Sequence, residues 1–148
     1  MYLGIPNAAE PLPGLLTGGQ PSEDQLTQAK SLGYKSIVNL RGIGEPGTET
    51  EPQLAISLGL EYVHIPVSGP HDISVEKAKA LSDALEEVEA PTIVHCASGN
   101  RVGALLAMRA FHVLGESAES ALKFGRQSGM TRLEAFVRSK LVRSFPRP

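Results

Sequence analysis

The chain has 148 residues, of which 41% are hydrophobic and 20% charged, with a formal net charge of −2. That length suits one domain with a core of its own, and the near-neutral balance offers no bulk attraction to nucleic acid or to an anionic membrane. One cysteine closes no intrachain disulfide and no apolar run approaches the roughly 20 residues of a spanning helix, so neither an oxidising compartment nor a membrane is indicated.

The opening MYLGIPNAAEPLPG has no basic region followed by an apolar stretch, so it does not read as a signal peptide, and a cytoplasmic location is expected. The Pro- and Gly-rich stretch that continues to Glu23 reads as extended chain with a short strand at Leu15–Thr17. Ser22 and Gln25 have the spacing of a capping box. Leu26, Ala29 and Leu32 share one face of the helix that follows, which stops at Gly33. KSIVNLR is a β-branched run short enough for a buried strand, and GIGEPGTETEPQ is loop chemistry. Leu54, Ala55 and Leu58 then suggest a short helix ending at Gly59, and LEYVHIPV is the next strand.

Ser74 can cap a helix in which Val75, Ala78, Leu81, Leu85 and Val88 line one face, and Pro91 ends it. PTIVHC is a strand again. From Val102 to Leu114 the residues are apolar nearly all round, apart from Arg109 and His112, which places that helix inside the protein. Ser117 starts another helix. Thr131 with Glu134 has capping-box spacing for the last one, whose Leu133, Phe136, Val137 and Leu141 face the core. From Lys123 onward the chain carries Arg126, Arg132, Arg138, Lys140, Arg143 and Arg147 against a single acid, Glu134. A solvated helical face explains this run, and a docking surface for an acidic or phosphorylated partner is the alternative.

Strands alternating with helices imply an α/β fold over residues 1–148, with its core at about 15–142: a mostly parallel sheet flanked by helices on both faces. Ligands bind such sheets at the carboxyl ends of the strands. The ends at Asn39–Arg41, Ile65–Val67 and His95–Cys96 should therefore meet at one site.

The third of these ends continues as HCASGNRVGALL. Cys96 lies where a buried strand stops, and Gly99 allows the tight backbone that precedes a helix. If the helix begins near Asn100 or Arg101, the amides of residues 97–101 form a ring of donors over its positive end. Amides, helix terminus and guanidinium all favour the thiolate, and Arg101 can hold a tetrahedral oxyanion in a two-pronged grip.

HCASGNR resembles the H-C-x-x-G-x-x-R signature of the cysteine-dependent phosphatases of the tyrosine and dual-specificity type. It is more similar to a small bacterial branch with a C-x-S-G-x-R loop, described both as phosphatases and as sulfur transferases. GGQPSEDQLTQAKSLGYKSIVNLR, LEYVHIPVSG and FGRQSGMTRLEA look like that branch too, so the resemblance covers about residues 15–135. It implies a tyrosine phosphatase-like fold, Cys96 as nucleophile, and a phosphate-binding loop of His95, Cys96, Ala97, Ser98, Gly99, Asn100 and Arg101. Two departures stand out. Arg101 lies five residues after Cys96 rather than six, a ring length that rhodaneses use to carry a persulfide. Val102 stands where these phosphatases generally place a hydroxyl that helps the thiolate leave, a role that falls to Ser98 if any residue has it.

The resemblance also implies a general acid on an upstream loop, and VSGPHDIS offers Asp72, with His71 beside it. Asp72 could equally be a cap, and Glu45 and Glu49 on the loop after NLR are alternatives. His95 can bond backbone near the loop and keep the thiolate ionised, as in the wider family, or be a satisfied core histidine. Arg41 can pair with a carboxylate in the next loop or reach a substrate anion. No cofactor is called for. The histidines show no metal-ligand spacing, the G-x-x-x-x-G-K-[ST] loop is absent, and no aromatic platform for nucleic acid is present. The expected partner is a phosphorylated small molecule or a phosphoprotein. Three activities are weighed: a phosphatase first, a rhodanese-like sulfurtransferase second, and a phosphate-binding domain without turnover third.

Overall fold

The computed structural model describes residues 3–143. Five strands form one sheet in the order β1-β2-β5-β3-β4. The strands are β1 (Ala9–Leu12), β2 (Leu15–Gly18), β3 (Ser36–Arg41), β4 (Glu61–Val67) and β5 (Thr92–His95). Pairings β2–β5, β5–β3 and β3–β4 are parallel, and β1 pairs antiparallel with β2. β1 lies in the segment read as extended chain. With Pro11 inside it and only one neighbour, it is an edge strand whose sequence carries little strand signal.

Six α-helices cover the sheet: α1 (Glu23–Ser31), α2 (Glu51–Ser57), α3 (Val75–Glu87), α4 (Asn100–His112), α5 (Ala118–Gln127) and α6 (Glu134–Lys140), with a 3₁₀ turn at Pro70–Asp72. This is the expected mostly parallel α/β architecture. Strand alternation divides the core in two. Val38, Leu40, Val94, Val67 and Cys96 pack on the side of α3 to α6, together with Leu81, Leu105, Met108 and Leu122. Ile37 packs on the opposite side with Leu26 of α1 and Ala55 of α2. The same alternation turns Asn39, Arg41 and His95 toward α1 and α2, since they lie at even spacing from Ile37 and Ile93.

Ser22 and Gln25 form both hydrogen bonds of their capping box, and Ser74 and Ser117 cap α3 and α5. Two expectations fail. Leu32 is 53% exposed, because α1 ends at Ser31 and Leu32 is the capping residue beyond it, off the buried face that Leu26 and Ala29 occupy. Thr131 does not cap α6, which begins only at Glu134. Instead Asn100 Oδ1 accepts from the amides of Thr131 and Leu133 at 2.8 and 3.3 Å, so a side chain from α4 satisfies donors a local cap would have taken. Part of the basic C-terminal run is engaged within the fold: Arg126 pairs with Glu134, Arg138 with Glu119 and Glu134, and Arg143 stacks 3.8 Å over the Phe111 ring. Arg147 lies outside the described residues. Among the described residues no helix is long and apolar enough to cross a membrane.

Candidate active site

The loop from Cys96 to Arg101 connects β5 to α4, and Gly99 turns it with a φ of 95°, the left-handed region where glycine is at ease. Cys96 is completely buried, and its Sγ accepts from the Gly99 amide at 3.0 Å, directly over the N-terminus of α4. A second segment buttresses the loop from outside. Gln20 N donates to Ala97 O at 3.1 Å, and Asn7 Nδ2 donates to Ser98 O at 2.9 Å. Gly19 is required there, since a Cβ at that position would sit 2.5 Å from Ala97 O. Ala97 and Ser98 face solvent on the loop, and Val102 is buried beneath it. Asn100 turns its side chain away, to residues 131–133.

The loops after β3 and β4 do converge on this one. Arg101 Nη1 and Nη2 grip the two oxygens of Glu45 at 2.6 and 2.9 Å, and Nη1 also donates to Val67 O at 2.7 Å. These contacts use three of the five guanidinium donors and leave Nε–H and one Nη2–H, the two donors of one edge. Cys96 is among the groups whose charge Arg101 feels, after Glu45 and burial. Glu45 itself is shared with Arg41 Nε at 3.4 Å and with the Gly42 amide. Arg41 therefore pairs with a carboxylate in the next loop, as its position suggested.

Glu45 is held down to about 2, chiefly by the Arg101 hydrogen bond, against a smaller opposing effect of burial, with Gly42 and Arg41 adding to the lowering. A carboxyl held that low carries no proton near neutrality, which removes Glu45 as the acid. The lowering also makes a stability prediction. The folded value lies below the ordinary 4.5, so the contribution is complete above that range and disappears as pH falls through about 2. Melting temperatures of the wild type and Glu45→Gln should differ most near neutral pH and converge toward pH 2. A difference that stays constant with pH would show that the pair does not stabilise the fold.

Asp72 ends the 3₁₀ turn after β4, and its Oδ2 accepts from the Ser68 amide at 2.9 Å, with His71 Nε2 3.7 Å away. The Asp72 and Glu45 loops touch, for a Cβ on Gly42 would lie 2.5 Å from Ser68 Oγ. Glu49 is exposed.

One participant had no distinguishing mark in the sequence. Glu51, the first residue of α2, is buried, and its Oε2 lies 2.6 Å from His95 Nε2. Its other oxygen accepts from Gln20 Nε2 at 2.7 Å, and Gln20 Oε1 in turn accepts from Arg41 Nη1. On its other side His95 Nδ1 bonds Cys96 O at 3.2 Å. His95, Glu51, Gln20, Arg41, Glu45 and Arg101 thus form one continuous polar chain from behind the thiol round to the anion grip. Glu51 sits in TETEPQ beside Glu49, and alternation of acids in a loop cannot say which one turns inward.

Residues 13–111 match the phosphatase-like domain of the beta-lactamase hydrolase-like proteins. A beta-lactamase hydrolase-like protein of Agrobacterium fabrum is 33% identical over 125 residues, 78% of this chain and 27% of that protein. One from Xylella fastidiosa is 37% identical over 98 residues, 64% of this chain and 22% of that protein. The chain spans about a quarter of the length of these curated relatives. Among solved structures, a candidate phosphatase from Neisseria meningitidis superposes with a TM-score of 0.75 at 22% identity, covering 91% of this chain and 96% of that one. The core catalytic domain of a PP-IP phosphatase from S. cerevisiae superposes with a TM-score of 0.65 at 18% identity, covering 93% and 85%. At those identities the likeness concerns the fold.

Proposed function

Since the chain belongs to the family of phosphatase-like domains found in beta-lactamase hydrolase-like proteins, we propose that it hydrolyses phosphate monoesters through a cysteinyl-phosphate intermediate. The observation that carries this reading is the disposition of Arg101: Glu45 and Val67 hold it in place while one edge, with two N–H donors, stays available beside Cys96. A phosphoryl group has oxygens for that edge and for the loop amides together. In the first step the Cys96 thiolate attacks phosphorus, the P–S bond forms and the ester P–O bond breaks. The leaving oxygen takes a proton from Asp72. Water then attacks phosphorus, the P–S bond breaks, and phosphate and thiolate are released, with the water proton returned to Asp72. Val102 gives the departing sulfur no hydroxyl, so this second step is the slow one. A substrate with an accessible phosphate monoester, on a small molecule or a protein, fits the proposal.

The five-residue spacing between Cys96 and Arg101 favours a second reading, transfer of a sulfane sulfur by a Cys96 persulfide. One pair of assays separates the two. Hydrolysis of p-nitrophenyl phosphate, inhibited by vanadate, supports the phosphatase. Thiocyanate formation from thiosulfate and cyanide without ester turnover overturns it. Silence in both, with phosphate binding retained, leaves a binding domain.

The acid has its own test. Asp72→Asn should slow esters of alkyl alcohols by about a hundredfold or more and aryl esters with acidic leaving groups much less, because only a poor leaving group needs the proton in the transition state. A loss of equal size across the series would remove Asp72 from that role.

A further inference from the structure

The outer flank of the cysteine loop carries hydrogen-bond donors that the proposed chemistry does not use. A groove of about 450 Å³ borders Ser98 and is lined also by Asn7, Arg126, Thr131 and Arg132. No carboxylate lines it, and its purely apolar side chains are no larger than those of Ala8 and Ala9. Arg126 and Arg132 are both exposed, and a guanidinium keeps its charge at any working pH. Arg126 gives part of its fork to Glu134, at 2.8 Å, whereas Arg132 has no carboxylate partner among the described residues.

This part of the basic run is fastened to the cysteine loop. Asn100 Oδ1 accepts from the amides of Thr131 and Leu133, on either side of Arg132, so the first residue of α4 fixes the backbone that carries that arginine. Gly129 lies against the loop itself, for a Cβ there would stand 2.9 Å from Gly99 O. Asn7, at a φ of 56°, donates Nδ2 to Ser98 O at 2.9 Å, and asparagine is among the residues that tolerate such a backbone. Ser98 is exposed, and the chain from it back to Cys96 spans at most about 7 Å. Arginines that merely solvate a helix face need no such ties.

We infer that Arg132 and Arg126 form a second anion subsite beside the loop, which takes another phosphoryl group of the same substrate. The preferred substrate is then a small molecule with two phosphoryl groups a few bonds apart. The inference rests on the loop holding the first of them. The groove suits a small hydrophilic ligand better than a peptide, because it offers no recess for a large apolar side chain. The guanidinium forks and the Ser98 and Thr131 hydroxyls match phosphoryl oxygens instead. Arg132 is the main anchor, since Glu134 already offsets part of the charge of Arg126.

Matched probes are the bisphosphate and the monophosphate of trimethylene glycol, which differ only in the second phosphoryl group. In the full chain, kcat/KM should favour the bisphosphate by about tenfold, the size of one or two partly exposed ion pairs, and added salt should shrink the preference. Arg132→Ala should remove most of that preference and Arg126→Ala less of it, while both variants turn over p-nitrophenyl phosphate and the monophosphate as the wild type does. Lys123→Ala, which removes an exposed cation of α5 outside the groove, should leave the preference intact. Equal rates for the two probes in the wild type, or a preference that survives loss of both arginines, would overturn the proposal. So would a preference that falls as far in Lys123→Ala, since that is diffuse attraction and not a site. Calorimetry on Cys96→Ser needs no turnover: the bisphosphate should bind about tenfold more tightly than the monophosphate, and adding Arg132→Ala should abolish the difference. A wild type silent toward every ester that keeps this binding difference counts against the phosphatase alone. Ester turnover without the difference counts against the subsite alone.

Discussion

Replacing Cys96 with serine is expected to lower kcat for an aryl phosphate by at least about four orders of magnitude, the size seen when a covalent nucleophile is removed from a site whose other parts remain. The physical reason lies in the ionisation of the attacking atom. The loop surrounds Sγ with the Gly99 amide, the N-terminus of α4 and Arg101, and the proposed attack uses the sulfur as thiolate. A serine hydroxyl stays protonated in the same surroundings and is a poor nucleophile, while the anion grip is untouched. Inorganic phosphate should therefore still bind Cys96→Ser within a few-fold of the wild type, measured by calorimetry. Retention of more than about a hundredth of the activity would mean that another group attacks phosphorus.

Arg101→Lys is expected to cost on the order of a hundred- to a thousandfold in kcat, comparable with removal of a preorganised oxyanion donor. Arg101 makes three contacts that hold it, to both oxygens of Glu45 and to Val67 O, and still has an edge for substrate. A lysine ammonium has three donors in all and no planar fork. Pairing with Glu45 leaves it nothing of the two-pronged geometry. Because charge is preserved, a lysine variant that kept full kcat would show that Arg101 supplies only positive potential. Steady-state kinetics with p-nitrophenyl phosphate measure the difference, and the loss should fall on kcat more than on KM if the edge acts mainly in the transition state.

Much of the architecture was legible because it depends on short-range chemistry. Ser22, Ser74 and Ser117 cap helices three residues from the amides they satisfy, and the apolar faces of α3 and α4 repeat within a single turn or two. The cap at Thr131 failed for the complementary reason. Its spacing was right, but Asn100, 31 residues away, reached the same amides first in space. Leu32 failed because the helix ended one residue before the apolar pattern did.

By itself the sequence determined the unit of strand, loop and helix that presents Cys96 over α4. Six consecutive residues and a glycine with positive φ are enough to curl amides round a sulfur, and the strand and helix on either side carry their own hydrogen-bond patterns. It also determined which strand ends could meet, since parallel strands place their carboxyl ends at one edge. Only the tertiary structure decided which carboxylate does what. Glu45, Glu49 and Glu51 fall within seven consecutive residues at the loop before α2 and its first position, yet one grips Arg101, one faces solvent and one is buried against His95. Their chemistry is identical in the unfolded chain. Their separate fates come from the side chains that β3, β5 and α4 bring to them, and no local pattern encodes a partner 44 or 56 residues away.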